Sequence, residues 1–362
     1  MKRYDIFCKI VDNFGDIGIC WRLARQLASE QPAQVRLLID DFAIASKIIH
    51  RLDINKIIQH IDNIEILSIN TLGITPADVV IETFACGLPD HYLQQLTQHQ
   101  HVWINLDYLS AEAWVETFHA KPSPHPTLPI TRHFYFPGFT ANTGGLIREQ
   151  HLLTERDAFQ SSPTAQVQFW QNLNVQPIEG ACKISLFCYA QADLTGLLNV
   201  LQLNEAPIQL FIPANSLITD FFNNIEQIPS HLNLVHLPFL SQTNYDKLLC
   251  ACDLNFVRGE DSWIRAIWAA KPFIWQPYIQ NENAHLVKLK AFIDLYYAGY
   301  EQKDMLFEAH QRWTSEQGFD SIGHTYLKNL AKIATLTQQA TAQLATQTDL
   351  VAKLLAFANN QT

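Results

Sequence analysis

The chain has 362 residues, a formal net charge of −10, and 48% hydrophobic against 17% charged residues, a balance that excludes disorder and suits a folded protein of two ordinary domains. The acidic balance, with no basic run, argues against a nucleic-acid partner, because counterion release needs a basic face. No stretch approaches the ~20 uninterrupted apolar residues that span a bilayer, and the opening MKRYDIFCKIVDNFG lacks the apolar region and cleavage site of a signal peptide, so a cytoplasmic protein with no membrane partner is expected.

The first strand-like run, YDIFCKIV, feeds DNFGDIGICWRLARQL, a loop holding Asp12, Asn13, Phe14, Gly15 and Asp16 and then a helical pattern. Ile19, Leu23 and Leu27 recur at spacing four, so one helix face docks on a sheet, while Arg22 and Arg25 fall elsewhere and offer a local basic patch. QVRLLID, IEILSI, DVVIETFA and HVWINLDYLS follow, the alternation of βαβ units and a parallel sheet. Proline thickens in KPSPHPTLPITRHFYFP, which reads as a long ordered loop leaving the first domain.

Helical patterns over LTERDAFQ and TAQVQFWQNL lead to ACKISLFCYA, where strands restart as KISLFCY, PIQLFIP, LNLVHLPF and CDLNFVRG. The chain from YLKNLAKIATL onward is helical and ends DLVAKLLAFANN. The predicted organisation is a Rossmann-like domain over 1–150, a linker over 151–178, a second Rossmann-like domain over 179–335, and a helical tail over 336–362 free to pack back on the first domain. The seven cysteines, at 8, 20, 86, 182, 188, 250 and 252, lack C-x-x-C or His spacing and read as buried free thiols, with no metal site.

CDLNFVRGEDSWIRAIWAAKPFIWQPY carries the most chemistry. A strand ends, Gly259 permits a tight turn, and Glu260, Asp261 and Ser262 open a helix whose free N–H groups suit phosphate oxygens, with Arg258 adding a cation and Ser262 a hydroxyl. An acid there repels a diphosphate directly; either Glu260 accepts hydrogen bonds from sugar hydroxyls, or Glu260 and Asp261 are helix-capping acids. Upstream, Gln242 and Tyr245 offer an amide and a ring, and Phe187 and Tyr189 share one face of a strand end. Together they suit a pyrimidine base; read singly, the aromatics are core residues. Asp16 likewise reads as an acid for the chemistry or a cap for the first helix, and Asp12 as the same or a turn-stabilising residue.

With VDNFGDIGICWRLARQL, DVVIETFACGLP, WINLDYLSAEAWVE, FYFPGF, LFCY and RGEDS in hand, the chain resembles end to end the bacterial protein-arginine rhamnosyltransferases of the EarP type. The resemblance implies two Rossmann-like domains facing across a cleft, the GT-B architecture. It implies transfer of L-rhamnose from dTDP-β-L-rhamnose, with inversion, to an arginine of translation elongation factor P. The N-terminal domain would hold the protein acceptor and the C-terminal domain the donor, with no cofactor or metal. Asp12, Asp16 and Glu260 match the family's important acids. Phe187, Tyr189, Gln242, Arg258, Asp261 and Ser262 match positions around the donor, and Tyr245 stands where the family often has Phe. Two carboxylates at the first loop then make sense, since a guanidinium is a permanent cation with a planar fork of donors. Two other readings stay open: a GT-B enzyme with a glycan or lipid acceptor, and a non-catalytic protein-binding module that keeps a degenerate nucleotide site.

Overall fold

The computed structural model describes residues 1–11 and 14–361. In chain order the first elements are β1 (Lys2–Cys8), α1 (Gly15–Glu30), β2 (Ala33–Ile39), α2 (Phe42–Ile48), β3 (Ile58–Ile61) and β4 (Ile64–Ser68). β5 (Val79–Thr83), α3 (Asp90–Leu96), β6 (Val102–Leu106), α4 (Trp114–Phe118), β7 (Lys121–Pro124) and β8 (Thr131–Tyr135) follow. Next come α5 (Leu152–Gln160), α6 (Pro163–Asn172), β9 (Cys182–Leu186), α7 (Leu194–Gln202), β10 (Ile208–Pro213), α8 (Leu217–Asn223), β11 (Leu232–Leu237) and α9 (Gln242–Ala251). The chain closes with β12 (Leu254–Arg258), α10 (Asp261–Ala269), β13 (Phe273–Gln276), α11 (Ala284–Tyr296), α12 (Lys303–Thr314), α13 (Asp320–Lys328), α14 (Leu330–Ala345) and α15 (Leu350–Asn360). These elements form two compact units, Met1–Gln150 with the chain from Thr346 on, and His151–Ala345.

The first unit carries an eight-stranded sheet in the order β3-β4-β2-β1-β5-β6-β8-β7, parallel except for the antiparallel pairs β3–β4 and β7–β8. Every residue of β5 and β6 is buried, as strands covered on both faces require. One face packs Phe7, Val80 and Trp103 against Tyr92 and Leu96 of α3. Asp5, fully buried in β1, is matched by Arg36 of β2 at 2.6 and 2.7 Å and by the Tyr92 hydroxyl, which satisfies a charge that burial alone would make very costly. The strand order reverses between β1 and β5, so the loops after these two strands flank the position where open α/β sheets bind ligands.

The second unit repeats the principle with five parallel strands in the order β11-β10-β9-β12-β13, and its order reverses between β9 and β12. α10 is buried from Ser262 through Ala269, with Trp263 stacked on Trp275 of β13 at 3.6 Å.

Four expectations change. The proline-rich stretch is not a loop: β7 and β8 pair antiparallel, and Pro122 and Pro124 are tolerated because β7 is the edge strand, where a missing N–H costs no ladder bond. The helices expected within 151–178 form as α5 and α6, but the stretch is no linker: Phe159, Phe169 and Trp170 pack with Phe211, Leu237 and Leu248 in the second unit's core. The change of unit near the C-terminus falls after Ala345 rather than at 336, so α14 belongs to the second unit and α15 to the first. All seven cysteines are free, but Cys86, Cys182, Cys188 and Cys250 are only half-buried.

Among the described residues no helix is long and apolar enough to cross a membrane.

Candidate functional site

At the β1–β5 reversal, the first turn of α1 presents Asp16. Its side chain is buried, and its Oδ2 accepts the Val11 N–H at 2.7 Å. The N-cap is Phe14, with no side-chain cap bond, so the Asp16–Val11 contact closes the loop rather than capping the helix, while the helix dipole favours the Asp16 charge. The Phe14 carbonyl accepts the first helical bond, from Gly18 at 2.9 Å, and half-buried Gly15 begins the helix. Asp12 and Asn13 lie outside the described residues.

Beside this loop, the turn after β5 is bound to the end of β1: Thr83 Oγ1 donates to the Phe7 carbonyl at 2.6 Å, and Cys20 of α1 meets Thr83 at 3.4 Å. Phe84 and Ala85 are held in left-handed backbone, φ 55° and 51°, which costs each non-glycine residue about 1 kcal/mol or more. Bonds from Phe84 N to the Leu106 carbonyl (2.7 Å), Ala85 N to Asn105 Oδ1 (2.9 Å) and Gly87 N to Glu82 Oε1 (2.9 Å) enforce it. The result is Phe84 stacked on exposed Tyr108 at 4.3 Å. The sequence gives no signal for this pair, because a phenylalanine with positive φ has no local signature.

Of the two α1 arginines that could make a local basic patch, only Arg25 is exposed. Arg22 is buried and paired with Glu149 at 3.6 Å, and Arg25 pairs with Asp62 at 3.8 Å.

At the β9–β12 reversal the second unit gathers its predicted residues. Phe187 and Tyr189 follow β9, and the Arg258 guanidinium at the end of β12 lies 4.5 and 4.4 Å from their ring centres, within cation–π range. Tyr245, half-buried on α9, meets Phe187 edge-on at 5.9 Å, and desolvation of its hydroxyl pushes the phenol well above its usual range. Gln242 starts α9 and reaches the Asp261 carboxylate at 3.4 Å. Gly259 adopts φ 62° in the turn between β12 and α10, a conformation natural to glycine. Glu260 is the N-cap of α10 and makes no side-chain cap bond. The Ser262 hydroxyl accepts the Arg258 N–H at 3.1 Å and donates to the Arg258 carbonyl, so it staples this turn.

Two supports went unnamed in the sequence. Asp246 of α9 pairs with buried Arg265 of α10 at 2.8 Å and ties together the helices that carry Gln242, Tyr245 and Asp261. Gln276, fully buried at the end of β13, accepts the Tyr189 N–H at 2.7 Å. An i,i+n pattern signals neither, since each partner comes from a different element.

The chemistry available is that of carboxylates and cations. Burial pushes the thiols of Cys86 and Cys188 up to about 12, so neither is a thiolate nucleophile near neutral pH. Among the described residues no group of three or more His, Cys, Asp or Glu side chains is gathered as metal ligands.

The model of the EarP family, described as elongation-factor P (EF-P) rhamnosyltransferase, matches residues 4–359. A protein-arginine rhamnosyltransferase of Pseudomonas putida is 42% identical over 309 residues, covering 82% of each chain. One from Neisseria meningitidis serogroup B is 36% identical over 328 residues, covering 86% of this chain and 82% of its own. A solved structure concerned with EarP-mediated arginine glycosylation of translation elongation factor EF-P superposes over 100% of both chains with a TM-score of 0.69 at 28% identity. MurG of Acinetobacter baumannii superposes with a TM-score of 0.52 at 12% identity over 99% of this chain and 100% of its own, a likeness of fold that identifies both units as the GT-B type.

Proposed function

The chain belongs to the EarP family of protein-arginine rhamnosyltransferases, and from that premise we propose that it transfers L-rhamnose from dTDP-β-L-rhamnose, with inversion, to one arginine of translation elongation factor P. The observation that carries this reading is the extent of the family match: residues 4–359 take in both the Asp16 loop and the Glu260 turn.

On the acceptor side, deprotonating a free arginine is too costly to precede attack. Its pKa lies roughly nine units above a carboxylate's, which is about 12 kcal/mol at about 1.36 kcal/mol per unit. Asp16, with Asp12, instead grips the guanidinium, orients one nitrogen toward the anomeric carbon and accepts its proton late, as the N–C bond forms. A buried carboxylate fixed by a backbone N–H suits this role, because its orientation is set before substrate arrives.

On the donor side, the C–O bond to the diphosphate breaks on the face opposite the attack. The charge developing on the leaving dTDP meets Arg258 and the start of α10, a preorganised electrostatic contribution that calls on no metal or cofactor. Phe187, Tyr189, Tyr245 and Gln242 hold the nucleotide, and Glu260 accepts hydrogen bonds from the sugar's hydroxyls. Asp261, held by Gln242, and Ser262, bonded to Arg258, keep the turn around Gly259 in shape for that contact.

The test is the intact mass of elongation factor P after incubation with the protein and dTDP-rhamnose, with fragmentation to locate any addition and NMR of the product to read its anomeric configuration. One deoxyhexose on one arginine, in the α configuration, is expected. An unmodified factor, with donor still bound in a calorimeter, would overturn the acceptor assignment.

A further inference from the structure

Gln276 stands at the carboxyl end of β13 in register with Arg258, and its amide crosses the end of β12 to reach the loop after β9. It is 0% exposed. Its Oε1 accepts the Tyr189 N–H at 2.7 Å, which fixes the amide's orientation, and its main-chain carbonyl accepts the Gly259 N–H at 3.2 Å. Its Nε2 is buried with no hydrogen-bond partner. A buried amide donor left unmade costs free energy, and replacement by an apolar side chain of similar length removes that cost. Gln276 thus bonds the backbone of Tyr189 and of Gly259 and lies in register with Arg258, all residues that the donor reading uses.

We infer that Gln276 binds the nucleotide sugar, its Nε2–H donating to a phosphate oxygen of the sugar diphosphate while its Oε1 holds the Tyr189 backbone. This rests on the proposed donor site of the second unit. A phosphate oxygen is the matching acceptor because Arg258, paired in register with Gln276, and the N-terminus of α10 bring positive potential to the same strand ends. The residue therefore joins two tasks in one side chain: it satisfies the loop that presents Tyr189, and it keeps a donor for the ligand.

Two substitutions separate these tasks. Gln276→Glu keeps an oxygen for the Tyr189 N–H and removes the amide donor; Gln276→Met removes both. Calorimetric affinities for dTDP and for dTDP-rhamnose, with thermal unfolding in the absence of nucleotide, are the readouts. Gln276→Glu is expected to weaken both ligands by about tenfold or more, the size of one hydrogen bond to a charged group. Gln276→Met is expected to do the same without lowering the unfolding temperature of the nucleotide-free protein by more than the loss of the Tyr189 bond explains. Arg258→Ala is the control for the site itself. Wild-type affinity in Gln276→Glu, with binding lost in Arg258→Ala, overturns the role of Gln276 alone. Wild-type affinity in both overturns the donor site and this role with it. A loss confined to dTDP-rhamnose moves the contact from phosphate to sugar and overturns the assignment made here.

Discussion

Asp16 Oδ2 accepts the Val11 N–H at 2.7 Å, and that bond makes an informative substitution available. Asn at this position keeps an oxygen for the Val11 N–H and loses the charge. Asp16→Asn is therefore expected to leave donor affinity unchanged and to lower turnover by about 10²-fold or more, the share commonly carried by a positioned acid–base group. Single-turnover kinetics beside calorimetry decide it; near-normal turnover would remove Asp16 from the chemistry. Glu260→Gln tests the other carboxylate, which lies on the donor side, so affinity for dTDP-rhamnose and turnover should fall together. A variant that lost only turnover would move Glu260 to the reacting centre. Both acids were legible in the sequence because an acid at a strand-to-helix turn is a local pattern. The Arg258 guanidinium over Phe187 and Tyr189 was not, because it joins residues about seventy positions apart through a rotamer that no spacing encodes.

The donor residues are carried by α9 and α10, and these helices are tied by Asp246 and Arg265 at 2.8 Å, with side chains 19% and 3% exposed. Removing one member of such a pair leaves the other charge in low dielectric, at a cost of about 3–5 kcal/mol, whereas replacing both with apolar side chains is often close to neutral. Asp246→Ala is expected to lower the unfolding temperature and to weaken dTDP binding. Asp246→Leu combined with Arg265→Met should recover most of the stability. A double-mutant cycle with no coupling between the two sites would show that the pair does not hold these helices. Short β-rich runs buried on both faces, such as β5 and β6, were readable from pattern alone. β7 was not, since its prolines carry the signature of a loop, and their placement on an edge is a property of the sheet rather than of the segment.

The chain returns to its first unit at the end, and α15 buries Leu350, Val351, Leu354 and Ala358 there. Asp349 caps the helix and also accepts from Gln26 Nε2 at 3.1 Å, and Leu350 N bonds the Leu146 carbonyl at 2.9 Å. Lys353 Nζ gathers the carbonyls of Ala141 and Thr143 at 3.0 and 2.8 Å. The apolar spacing of DLVAKLLAFANN announced a helix with one buried face, but its seat depends on carbonyls more than 200 positions away. The attachment has a consequence for acid stability. Burial first, and then the Lys353 ammonium, lowers the His119 pKa to about 4; in the second unit burial alone lowers His310 to about 4, with its Nδ1 donating to the Leu306 carbonyl. In the unfolded chain both titrate near 6.5. Below that pH the unfolded state takes up protons that the folded state refuses until about pH 4, so the stability these histidines contribute is complete above 6.5 and is lost as pH falls through that window. Thermal unfolding between pH 7.5 and 4 is expected to show this decline in the intact protein. Lys353→Met should shallow the His119 share of the slope, because the neighbouring positive charge is gone, while lowering stability at pH 7.5 through the lost carbonyl contacts. An unchanged slope in Lys353→Met, with His119 titrating as before by NMR, would mean that the tail helix has no electrostatic hold on the first unit.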